Sequence, residues 1–140
     1  MFIAPMKTIS LLSIALSSLL FAGCATTGSV KTLTPFNTDR QVTFAVGQVF
    51  MVELPANPTT GFRWTCRPEA EPVVEQVGEP VFVNGSAPVG NMGGGGMDYF
   101  KFRATKAGQQ TLKLDYARPW ERDVAPAQTL SYELVVVDKP

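Results

Sequence analysis

Val49-Phe50-Met51-Val52-Glu53-Leu54-Pro55-Ala56-Asn57-Pro58-Thr59-Thr60-Gly61-Phe62-Arg63-Trp64-Thr65-Cys66 reads as strand, turn, strand. Val49, Met51 and Phe50, Val52, Leu54 form an apolar run that ends at Pro55, and Phe62, Trp64 and Cys66 then alternate with Arg63, Thr65 and Arg67. Alternation with period two marks a half-buried strand. Between the runs, Pro58 fixes its own φ and pushes Asn57 towards extended backbone, while Gly61 is free to take a positive φ. A stiff loop with exposed backbone is expected from Asn57 to Phe62. Asn, Pro, Thr and Gly form turns in proteins of every kind, so the loop alone does not reveal a function.

Working outward, the same period recurs. Val42, Phe44 and Val46 alternate with Thr43 and Ala45 and stop at the turn Gly47-Gln48. Val73, Val74 and Val77 mark another strand, and from Gly78 to about Met97 runs a long connection rich in glycine and proline, in which Val81-Phe82-Val83 and Asn84-Gly85 suit a small hairpin. Phe100, Phe102 and Ala104 alternate with Tyr99, Lys101 and Arg103, and Leu112, Leu114 and Tyr116 with Thr111, Lys113 and Asp115. Leu130 to Val137 closes the set. No helical period is present outside the amino terminus, so about seven to eight short strands imply an all-β antiparallel sandwich. Trp64 is expected in its core, and Cys66 beside it reads as packing.

The amino terminus has the outline of a bacterial lipoprotein signal. Lys7 precedes an apolar stretch from Ile9 to Phe21, and Ala22-Gly23 precede Cys24. The apolar run is too short for a comfortable membrane span. Residues 1–23 are therefore expected to be removed, with Met6 as an alternative start to Met1. Cys24 is then the lipidated first residue, with Ala25 directing the protein to the outer membrane, on its periplasmic or surface side. Residues 24–35 read as the anchor and a Thr/Ser/Gly tether, and 36–140 as the domain.

Composition excludes much. The chain of 140 residues has twelve Lys and Arg against twelve Asp and Glu, and no histidine. Near-neutral charge without a basic patch argues against nucleic acid. Lack of histidine removes Ser-His-Asp and Cys-His catalysis, His-containing zinc sites and the commonest general base. No cofactor and no metal are expected. With Cys24 lipidated, Cys66 has no disulfide partner, so burial must stabilise the fold.

Successive connections in an antiparallel sandwich alternate between its ends, which places three punctuated stretches at one end. They are Asn57 to Phe62, the run Gly93, Gly94, Gly95 and Gly96, and Arg118-Pro119-Trp120. The four glycines lack the following Lys-Ser or Lys-Thr of a phosphate loop. Together the three make a rigid turn, a ridge without side chains, and a Trp and Arg of the kinds that anchor interfaces.

In this order and spacing the three motifs resemble those of the chagasin-type inhibitors of papain-like cysteine peptidases. The resemblance covers about Phe36 to the end. It implies an immunoglobulin-like sandwich, most simply a monomer, whose loops enter a peptidase cleft and block it reversibly. The Asn57 loop would face the catalytic cysteine with Thr59 foremost and Thr60 beside it. Gly93, Gly95 and Gly96 would flank it through their backbone on one side, with Arg118 and Trp120 on the other. The target implied is a peptidase of the cell's own or a host cathepsin-like enzyme. Two other readings stand beside this one: a glycan-binding or envelope-assembly module with Trp120 exposed, and a hydrolase using Asp98, Asp115 or Glu121.

Overall fold

Apolar side chains at every second position give each strand one face to hide, and in the computed structural model two sheets hide those faces against each other. The structure describes residues 29–85 and 95–140. Within them the strands are β1 (Lys31–Leu33), β2 (Gln41–Ala45), β3 (Val49–Ala56), β4 (Arg63–Cys66), β5 (Val74–Gln76), β6 (Val81–Asn84), β7 (Gly96–Ala104), β8 (Gly108–Ala117) and β9 (Gln128–Val137). One sheet runs β1-β3-β7, with β5 and β6 both pairing the far edge of β7. The other runs β2-β9-β8-β4. The sandwich expected from the alternation is therefore present, but its sheets are mixed, because β1 lies parallel to β3 and β2 parallel to β9.

Phe44 stacks on Phe50 with centroids 4.1 Å apart, and Phe50 on Phe102 at 5.5 Å. Around this stack Val52, Leu54, Leu112, Leu114 and Leu134 are buried. Trp64 sits in the core as expected, 4% exposed, its indole N–H donating to the Pro55 carbonyl at 2.9 Å. Cys66 is half-buried against the same core, and burial pushes its thiol pKa up, away from the reactive thiolate.

One short strand lies where a small hairpin was expected, and another where no strand was. Val81–Asn84 is a true strand, its hairpin partner being the start of β7 with Asn84 opposite Gly96. More consequential is β1, which falls inside the stretch read as tether. Leu33 is 1% exposed in the core, and the Tyr132 hydroxyl donates to the Thr34 carbonyl at 3.1 Å. A capped turn over Pro35–Asn37 then carries the chain across to β2. A strand of three residues with one apolar side chain is too short to show a period, so the boundary expected near residue 36 moves to about Lys31.

The strand directions sort the connections. At one end lie those joining β3 to β4, β6 to β7 and β8 to β9. At the other lie the turn before β3, the turn before β8 and the start of β1, where Lys31 pairs with Phe50.

Leu33→Ala should cost about 2–4 kcal/mol in denaturant unfolding, as for other buried leucines. A loss near zero would return residues 31–33 to the tether. Burial also pushes the Tyr132 phenol up from 10.0 to about 12. Its contribution to stability is whole below the unfolded value and is lost as pH rises towards the folded one. The stability difference between the protein and Tyr132→Phe should accordingly shrink between about pH 10 and 12.

Candidate functional site

The Asn57 turn is built from its own polar groups. Asn57 is extended at φ −137° and ψ 91°, as Pro58 requires, and its side-chain oxygen accepts from the Thr59 amide at 3.2 Å and from the Thr59 hydroxyl. Its carbonyl accepts from the Thr60 amide at 3.2 Å and the Thr60 hydroxyl at 2.7 Å. Gly61 closes the turn at φ 80°, its amide donating to the Pro58 carbonyl at 3.1 Å. Pro58, Thr59 and Thr60 are exposed at the tip.

The β8–β9 connection leans on this turn. Arg118 Nε donates to the Thr60 carbonyl at 3.1 Å, its guanidinium lies 4.4 Å from the Phe62 ring centre, and Nη1 pairs with Glu121 at 3.3 Å. Arg118 thus joins the two loops rather than projecting alone. Pro119 is exposed, and the Trp120 ring rests on Gly61. A Cβ at Gly61 would run into that ring, with Cζ2 at 3.1 Å and Cζ3 at 3.3 Å. Trp120 nevertheless remains 66% exposed.

The glycine stretch comes alongside through the sheet, because Gly96 pairs with Ala56, next to Asn57. Gly95 and Gly96 are buried in the β6–β7 hairpin rather than offered as a ridge. A Cβ at Gly96 would strike the Val83 carbonyl and sit 2.7 Å from the Phe82 ring. Gly93 and Gly94 lie outside the described residues.

Sequence reasoning missed the support beneath the turn. The Tyr116 hydroxyl accepts from the Asn57 amide at 3.1 Å, and its ring packs 5.2 Å from Phe62 and 4.9 Å from Trp64. Its inward place in the alternation was visible; its partner, fifty-nine residues away, was not. The three carboxylates of the hydrolase reading are separately engaged. Burial raises Asp98 against the pull of Arg63; hydrogen bonding to Arg67 holds Asp115 low; Glu121 pairs with Arg118.

The family model described as Chagasin family peptidase inhibitor I42 matches residues 43–135. The chain belongs to the chagasin family of peptidase inhibitors. It is an inhibitor, not an enzyme. Among relatives of this chagasin-family chain, chagasin of Trypanosoma cruzi is 35% identical over 83 residues, 56% of this chain and 73% of the relative. Amoebiasin-2 of Entamoeba histolytica is 23% identical over 112 residues, 80% of this chain and 89% of the relative. The solution structure of Amebosin superposes with a TM-score of 0.60 at 28% identity, covering 79% of this chain and all of that one. A crystal structure of a cysteine protease inhibitor from Entamoeba histolytica shares the fold at a TM-score of 0.64 and 20% identity, covering 77% and 95% of the two chains.

Gly61→Ala in this inhibitor should cost about 1 kcal/mol, from a positive φ alone, and should lift the Trp120 ring. Acrylamide quenching of tryptophan fluorescence should rise while Trp64 stays shielded. Unchanged quenching would contradict the ring-on-glycine contact.

Proposed function

We infer that this inhibitor acts on papain-like cysteine peptidases, reversibly and tightly, by placing the Asn57 turn in the active-site cleft with the other two loops beside it. The observation that carries this reading is the seating of Trp120, two-thirds exposed yet held on Gly61 beside a pinned Arg118. An exposed aromatic with little freedom left to lose binds at low entropic cost. Kinship with chagasin, and the fold shared with a named cysteine protease inhibitor, support the peptidase class.

In this reading the contact residues are Asn57, Pro58, Thr59, Thr60, Gly61 and Phe62, the glycines Gly93 and Gly94, and Arg118, Pro119 and Trp120, while the buried Gly95 and Gly96 shape the hairpin that carries the second loop. Thr59 and Thr60 face the nucleophile. Arg118 contributes mainly by fixing the distance between the first and third loops. The tight turn over Pro58–Thr60 explains escape from cleavage, since a peptidase needs its scissile bond extended and in line with the nucleophile. The inhibitor works as a monomer. Cys24, outside the described residues, carries a lipid that holds it to the bacterial envelope after removal of residues 1–23; the Ala22-Gly23-Cys24 sequence supports this part.

Titrating papain with the protein truncated after Cys24 should give saturable, competitive inhibition at near-stoichiometric amounts. Trp120→Ala should weaken it about thirtyfold, the equivalent of about 2 kcal/mol, with the melting temperature unchanged. A folded protein that leaves papain untouched at micromolar concentration would end the proposal. Prolonged incubation should leave the Asn57 to Phe62 segment uncut on a gel.

A further inference from the structure

We propose that the end of the sandwich opposite the three loops is a membrane-facing pole, so that the anchored inhibitor points its loops away from the bilayer and takes a peptidase free in the aqueous phase. This rests on the lipid-anchor reading of Cys24. The strand register supplies the direction. β1 runs parallel to β3 with Lys31 opposite Phe50, so the chain enters where β3 begins, and the eight residues of β3 separate that point from Asn57. At about 3.3 Å per residue the separation is about 25 Å.

Tether length turns direction into preference. Cys24 lies seven residues before Lys31, and that much chain spans at most about 25 Å. Bringing the loops to the lipid surface would require the tether to double back along the whole of β3, using its entire reach and losing nearly all its freedom. Resting the opposite pole on the bilayer requires almost none of it.

That pole also has suitable chemistry. A groove of about 580 Å³ is lined there by Ser29, Val30, Val46, Gln48, Val49 and Lys139. Val30 and Val137 are 55% and 44% exposed, and Lys106 and Lys139 are exposed with Asp138. Apolar tips among amines suit the headgroup layer of a lipid surface.

The test uses the full lipidated protein in vesicles of phosphatidylethanolamine and phosphatidylglycerol carrying a headgroup acceptor dye. Donor dyes are placed, in a Cys66→Ser background, at Ala107→Cys on the pole or Val124→Cys near the third loop. Energy transfer should be severalfold greater from position 107, and unlabelled vesicle-bound protein should inhibit papain within about twofold of the soluble form. Equal transfer from both positions, or inhibition lost only on vesicles, would overturn the orientation. An unmodified Cys24 by mass spectrometry would overturn the anchor and the orientation with it. Soluble protein that fails to inhibit would instead count against the peptidase reading alone, because the energy-transfer result is independent of it.

Discussion

The chain must cross from one sheet to the other between Ala56 and Arg63, and the site is a consequence of that crossing. Two packed sheets stand about 10 Å apart, and six residues have to bridge them over the end of the core. Free of the ladder, their backbone groups need other partners. Asn57, Thr59 and Thr60 supply them from within the turn, and Tyr116 reaches up from β8 to take the Asn57 amide. Pro58 and Gly61 meet the dihedral demands at the two ends of the turn. The tip is exposed because it spans the gap, and stiff because its polar groups are occupied.

The two tryptophans show how one residue type takes opposite roles. Trp64 is drawn into the core by its place in the alternation, and its one polar atom finds the Pro55 carbonyl. Trp120 follows the end of β8, where no sheet covers it, and its ring settles on the one residue of the turn with no side chain. Core and site are thereby separated energetically. Stacked phenylalanines between the sheets carry the fold, while the loops above contribute little burial and are free to be shaped for a partner.

Arg118 illustrates the limit of reading a motif as a contact list. Residue type and exposure both suit an interface anchor, yet its hydrogen bond, ring contact and ion pair are all internal. What it sets is the geometry between the first and third loops. Gly96 is similar: its missing side chain makes room for Val83 and Phe82 within the hairpin.

By itself the sequence determined the local elements. Alternation from Val42 to Val137 gave an all-β sandwich because period two is set by the pleat of each strand, whatever it pairs with. Pro58 and Gly61 determined the turn through φ alone, and strand counting placed three loops at one end. Tertiary structure decided the rest. The β1 strand escaped notice because three residues carry no period, and its burial depends on Tyr132 and β3, far along the chain. The parallel pairings of β1 and β2 likewise follow from which edges the two sheets leave open. The support of Asn57 by Tyr116, and of Trp120 by Gly61, joins residues 59 apart in each case, so only the closed sandwich brings them within a few ångströms.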